Sequence, residues 1–291
     1  MLRNISQIHT APARHWVGDG FHVSPLFSHM QGDKHTSPFL MLDYAMPQHF
    51  APNETPHAKG VGAHPHAGFE TVTLALQGEV AHRDSSGNGG TIAPGDVQWM
   101  TAGSGVVHEE FHSDAFSKTG GTFEMVQLWV NLPAKDKNTP SRYQHLAKAN
   151  IPVVKFSDEA GYLRLIAGEH DGVKGTADTF TEMNVWDIVL YADKEAELKV
   201  SDNHNLSMVV LRGEVAFNGN EQATAGELVN FEQTGGKVRV KAGSGEVKIL
   251  LLSGVPIDEP VVGYGPFVMN TAEEIRQAIS DFKSGKFGYI D

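Results

Sequence analysis

The 291-residue chain contains no cysteine. That excludes disulfides, thiolate metal ligands and a cysteine nucleophile, and it suits a reducing, cytoplasmic setting. No apolar run reaches the roughly 18 residues of a membrane helix. The N-terminal Met1-Leu2-Arg3-Asn4-Ile5-Ser6-Gln7 lacks the apolar core of a secretory signal. Positive charge is also scarce: 23 Lys and Arg against 35 Asp and Glu give a net charge of -12. A nucleic-acid surface needs a basic footprint, so direct nucleic-acid binding is not expected. The glycine motifs of phosphate loops, dinucleotide folds and serine hydrolases are missing. Ala102-Gly103-Ser104-Gly105 precedes a strand pattern, not a helix, and reads as a turn.

What is present is concentrated between His64 and Glu110. The stretch opens with His64-Pro65-His66-Ala67-Gly68-Phe69-Glu70-Thr71 and closes with Val107-His108-Glu109-Glu110. Residues i and i+2 of a strand share a face, so each pair, His64/His66 and His108/Glu110, can converge on one point. Thr71 to Leu76 and Val97 to Met100 carry strand composition, punctuated by Gln77-Gly78-Glu79 and Pro94-Gly95-Asp96. Three imidazoles and one carboxylate on two facing strands make a metal site.

The ligand types narrow the ion. Neutral imidazole and carboxylate suit Fe(II), Mn, Ni, Cu or Zn, and Mg or Ca would want oxygen throughout. Four protein ligands on an octahedral ion leave two positions open, as a redox-active oxygenase site requires, so Fe(II) is the first choice. Glu110 is favoured as the carboxylate ligand. Glu70 is the alternative, because on an unbroken strand it shares the face of His64 and His66, although Gly68 can bulge the strand and turn it away. His57, His82 and His112 read as surface histidines or supports of the ligands. Phe50, Met125 and Trp99 are candidate cavity walls.

The second half repeats the first half's punctuation. Gln77-Gly78-Glu79-Val80 returns as Arg212-Gly213-Glu214-Val215, and Pro94-Gly95-Asp96 as Ala225-Gly226-Glu227. Two tandem all-β barrels or sandwiches are expected. The polar stretch 133–150 is the candidate linker, which divides the chain into 1–135, carrying the metal site, and 136–291. Counting from the repeated glycines puts Lys199, Ser201, Arg239 and Lys241 where the first copy has ligands, so the second copy should hold no metal. After Glu110 a loop through Ser117-Lys118-Thr119-Gly120-Gly121 is expected. Near the end, Thr271 and Glu274 form a capping box ahead of an apolar stripe, Ile275, Ala278, Ile279 and Phe282, which predicts a short C-terminal helix.

Several segments together resemble the pirin family: His64-Pro65-His66-Ala67-Gly68-Phe69-Glu70-Thr71, Gly95-Asp96-Val97-Gln98-Trp99-Met100-Thr101-Ala102-Gly103, His108-x-Glu110, Gln127-Leu128-Trp129-Val130-Asn131-Leu132 and Gly265-Pro266-Phe267-Val268-Met269-Asn270-Thr271. The resemblance spans nearly the whole chain. It implies a bicupin, two β-barrels with metal only in the first, and iron on His64, His66, His108 and Glu110. It also implies quercetin 2,3-dioxygenase activity, in which a flavonol is opened by O2 and carbon monoxide is released. Glu110 or Glu70 would then take the substrate's hydroxyl proton. The alternative it implies is a non-catalytic iron-binding regulator that modulates a protein partner, an enzyme or a transcription factor, in response to redox state.

Overall fold

A computed structural model describes residues 1–31, 35–53, 55 and 57–290. The fold is almost entirely antiparallel β-structure, and contacts divide it into two compact units. One comprises Ala13–Gly32, Leu40–Lys148 and Ile257–Asp291 and contains all the candidate ligands; it is called the histidine unit below. The other comprises Met1–Pro12, Asp33–Phe39 and Ala149–Pro256 and is called the apolar unit. A single cut at 135/136 is therefore not the observed partition. The strand Ile5–His9 pairs with Leu228–Phe231, and Phe267 bridges to Ala67, so each end of the chain joins the opposite half of the sequence. Composition marks a polar stretch but does not reveal pairing partners of such separation.

Each unit faces a seven-stranded sheet with a four-stranded one, in the manner of a cupin. The two sheets are not closed by hydrogen bonds into one continuous barrel. In the histidine unit the small sheet runs Gly60–His66, Val106–His112, Val80–Asp84, Gly89–Ile92, and the large one contains Phe69–Gln77 between Val97–Thr101 and Gly121–Asn131. The apolar unit repeats the small sheet as Glu195–Lys199, Lys237–Ala242, Glu214–Phe217, Glu221–Thr224. The repeated punctuation has one physical origin. Gly78 and Gly213 lie at φ +74° and +82°, Gly95 and Gly226 at +94° and +91°, a region that glycine enters at little cost.

Two expectations are corrected. The stretch after Glu110 is not all loop: Asp114–Thr119 is a helix, with the Ser113 side chain accepting from the Phe116 N–H. The stretch 133–150 is not a linker: Arg142–Leu146 pairs with Val97–Thr101, and Lys137 is buried. Its ammonium donates to Gly68 O, Asn131 Oδ1 and Val268 O at 2.8–3.0 Å, which offsets the loss of water that a buried cation suffers. The expected C-terminal helix is Ala272–Lys283, capped by Thr271. Ile275 and Ala278 pack with Ala67, Val107, Phe267 and Met269, so the helix rests beside the residues next to His66 and His108. No helix among the described residues is long and apolar enough to cross a membrane.

Candidate metal centre

Register brings the ligands together. His108 lies opposite His64 on one neighbouring strand and opposite Asp84 on the other, and Glu110 lies opposite His82. Between His108 and Glu110 the first pairing slips: the partners are His64 and Val61, three residues apart against two. This bulge lets Val61 and His64 line the same cavity despite their odd separation. Ligand atoms of His64, His66 and His108 lie within 4.8 Å of one another, as do those of His82, His108 and Glu110. His108 belongs to both groups. His66, His108 and Glu110 are buried, and His64 is half-buried at the cavity.

Counting protons fixes which nitrogen each ring turns to the centre. Nδ1 of His64 lies 2.8 Å from the Gly62 carbonyl, and Nδ1 of His66 lies 3.4 Å from that of Pro266. A carbonyl only accepts, so both Nδ1 atoms carry the proton and both Nε2 atoms keep a lone pair. For His108 the partner is Nδ1 of His82 at 3.4 Å, and Nε2 of His82 lies 3.3 Å from Asp84 Oδ2. Asp84 accepts from His82, which leaves His82 Nδ1 as the acceptor and His108 Nδ1 as the donor. His108 Nε2 is then a buried lone pair without any hydrogen-bond partner. An orphan of this kind costs about 1–3 kcal/mol unless something binds it. Three imidazoles offering Nε2 from fixed orientations fit a transition-metal ion.

Electrostatics keep these rings in the ligating state. Burial pushes the His66 imidazolium down to about 3, with the neighbouring His64 adding to the effect. Burial and three adjacent imidazoles hold His108 well below the usual range. Both are neutral at physiological pH, as metal ligation requires. Burial raises Asp84, but hydrogen bonds from His82 and from the Asn88 and Ser86 backbone N–H groups bring it below the usual carboxylate range. It therefore accepts from His82 as a carboxylate.

Strand parity places the two candidate carboxylates at opposite faces of the large sheet. Thr73 Oγ1 lies 2.9 Å from Glu110 Oε1, so Thr73 faces the centre. Glu70 is three residues from Thr73 on the same strand and points to the opposite face, where its carboxylate accepts from Thr101 Oγ1 at 2.7 Å. Gly68 breaks the strand at φ +87°, and a Cβ there would meet Val268 O at 2.0 Å. Glu70 is buried but joins neither ligand group. Thr73 Oγ1 is also 2.8 Å from Gln127 Oε1, and one hydroxyl proton cannot serve two acceptors. Turning the Gln127 amide over satisfies all three: Gln127 donates to Thr73, and Thr73 donates to Glu110.

The centre opens on a cavity of about 270 Å³ lined by His64, His66, Glu110, Gln127, Asp43 and apolar side chains including Met125 and Trp129. Of the expected walls only Met125 is there. Phe50 belongs to an apolar cluster beside the cavity, with Phe21, Phe116 and Phe123. Trp99 pairs with Val72 on the far face of the large sheet. His57 is exposed, and His112 is buried with Nε2 bonded to Gly20 O at 3.0 Å. His82 is the support that sequence reasoning left undistinguished from them. Its signal was the alternation Val80-Ala81-His82-Arg83-Asp84, whose first, third and fifth residues are buried. Asp43 ends the apolar run Phe39-Leu40-Met41-Leu42, a setting that gives no sign of a cavity residue.

Comparison with known proteins then decides the family. The pirin family model matches residues 20–130, and the model of the pirin C-terminal cupin domain matches residues 185–288. The chain belongs to the pirin family. A Pseudomonas aeruginosa relative, provisionally named a quercetin 2,3-dioxygenase, is 50% identical over 98% of this pirin and 99% of its own length. A crystal structure of quercetin 2,3-dioxygenase from Acinetobacter baumannii superposes with TM-score 0.95 at 48% identity, covering 100% of both chains. A bacterial pirin from Escherichia coli, crystallised in complex with nickel(II), shares the fold at TM-score 0.63 and 22% identity, over 86% of this chain and 100% of its own.

Proposed function

We propose that this pirin is an iron-dependent dioxygenase that opens quercetin-like flavonols with O2 and releases carbon monoxide. Nε2 of His64, His66 and His108 and the Glu110 carboxylate would hold Fe(II). The observation that carries the reading is the partnerless Nε2 of His108, buried among imidazoles beside a small cavity. The names of the two relatives near half identity support the reaction class. The nickel of the E. coli pirin accords with a nitrogen and oxygen donor set that takes several divalent ions.

Bound there, the metal would supply Lewis acidity and a path for electrons between flavonol and O2. The chain supplies the rest. Glu110, held by the Thr73 hydroxyl, receives the proton of the flavonol's enolic hydroxyl. Val61, Met125 and Trp129 give the cavity apolar walls that exclude water and hold a flat ring system. The Asp84–His82 pair keeps His108 in its ligating tautomer.

The test is aerobic quercetin turnover by protein reconstituted anaerobically with Fe(II), following flavonol absorbance and carbon monoxide together. Turnover with carbon monoxide is expected, and His64→Ala should lose both metal and turnover. Protein that holds Fe(II) but turns over no flavonol would sink the dioxygenase reading and favour a metal-responsive regulator.

A further inference from the structure

The strand Phe39–Phe50 contributes Met41, Asp43 and Ala45 to one face. Met41 and Asp43 line the cavity of the metal centre, and Ala45 joins the apolar cluster next to it. Asp43 is thus a carboxyl on the large sheet, looking into the cavity whose ligands come from the small one. It is only 9% exposed, and its Oδ1 is buried without a hydrogen-bond partner. The other acids of this interior are engaged. Glu110 accepts from Thr73, and Asp84 accepts from His82 and two backbone N–H groups. No salt bridge reaches Asp43 among the described residues.

A buried carboxyl oxygen without a donor destabilises the fold, and a hydroxyl entering the cavity beside it can supply the missing donor. Burial pushes Asp43 up to about 6, with only His15 pulling the other way, so its environment offers the charge little help. The cavity, at about 270 Å³, lies near the lower end of small-molecule sites. Apart from the centre itself, its polar groups are Asp43 and Gln127, and its walls are apolar and aromatic. A planar aromatic ligand with hydroxyls at separate edges matches that pattern. One hydroxyl would meet the metal and Glu110, and another would donate to Asp43.

We propose that Asp43 is a specificity-determining residue of this site, whose carboxylate accepts a hydrogen bond from a hydroxyl of a polyhydroxylated aromatic substrate remote from the metal. The inference rests on the flavonol reading and adds to it a second point of recognition. No proton is transferred there and no bond is broken. Asp43 orients the substrate so that its enolic hydroxyl faces Glu110.

The experiment is anaerobic titration of the Fe(II)-loaded protein with quercetin, and with flavonols lacking single ring hydroxyls, alongside metal content and Tm. Asp43→Leu is expected to weaken quercetin binding about 10- to 100-fold, as losing one hydrogen bond to a charged group would. Metal content should be unchanged and Tm unchanged or higher. Asp43→Asn, which keeps an acceptor oxygen, should restore part of the affinity. The flavonol lacking the contacted hydroxyl should bind wild type and Asp43→Leu equally. Equal quercetin affinity in wild type and Asp43→Leu would overturn the role of Asp43 and leave the dioxygenase reading standing. Loss of metal in Asp43→Leu would overturn it as well, since Asp43 would then act through the centre. A metal-loaded wild type that binds no flavonol would overturn both.

Discussion

The two units share a sheet topology and differ at the same few positions. In the histidine unit His108 lies opposite His64; in the apolar unit Val238 lies opposite Leu198. Following the ladders outward, Val240 stands for Glu110, Phe217 for His82 and Val200 for His66. Leu198, Val200, Phe217, Val238 and Val240 all belong to one closely packed cluster with Leu163, Trp186 and Leu251. One scaffold thus fills its interior in one copy and leaves it polar and open in the other. The apolar copy gains stability from burial. The histidine copy spends some on orphaned polar atoms, which is how proteins commonly hold functional sites.

The largest expected effect comes from forcing the apolar copy to resemble the other. Val240→Glu puts a carboxylate at the place of Glu110, with no Thr73 hydroxyl or metal to meet it. An uncompensated buried charge should cost about 4 kcal/mol or more and unfold that unit below physiological temperature. Glu110→Val should leave folding nearly intact while metal content falls. Denaturation curves and elemental analysis of the two variants would check the contrast. Comparable losses of stability would mean that both interiors are packed alike.

That contrast was only partly legible in the sequence. That His64/His66 and His108/Glu110 can converge follows from strand parity, and that the second half repeats the first half's turns follows from the repeated glycines. The positions assigned to the second copy were each one residue off. Counting from glycines gave Lys199, Ser201, Arg239 and Lys241, whereas the ladders put Leu198, Val200, Val238 and Val240 at the ligand places. A slip of one residue exchanges the faces of a strand. The cations lie on the outer face, where Arg239 pairs with Glu195 and Glu197, and Lys199 with Asp171. At Glu70 the parity question was legible beforehand: Gly68 ends one strand and the next begins with its parity reset, so Glu70 leaves the face of His64 and His66. The Pro266 carbonyl behind His66 and the Lys137 ammonium on Gly68 arrive from far along the chain, and no local pattern announces them.

A smaller effect is expected from His82→Phe, which installs the residue that the apolar copy carries at that place. His108 Nδ1 would lose its acceptor, and its ring would be free to take either tautomer. Loss of a support of this kind weakens metal binding about 10- to 100-fold. His82→Gln, which can still accept, should recover part of the loss, and Asp84→Ala should fall between. Competition with a chromophoric chelator would measure the series. Unchanged affinity in His82→Phe would show that His108 is oriented by backbone packing alone.

A pH dependence of the histidine copy's interior is also expected. Burial lowers His66 to about 3 and His112 to about 4, against about 6.5 in the unfolded chain. Below 6.5 the unfolded state therefore binds more protons than the folded one, and metal-free stability must fall as pH falls. Stability is complete above about 6.5 and declines toward pH 3–4, by at most about 1.4 kcal/mol per pH unit for each histidine. At the apolar copy's corresponding positions Leu198, Val200, Val238 and Ala242 cannot titrate, so that copy adds nothing to the slope from these places. Thermal unfolding of metal-free protein between pH 7 and pH 5 should show the decline, and His66→Leu should flatten it. If His66→Leu kept the full slope, the proton uptake would lie elsewhere, and the polar interior of the histidine copy would not be the acid-sensitive part of the molecule.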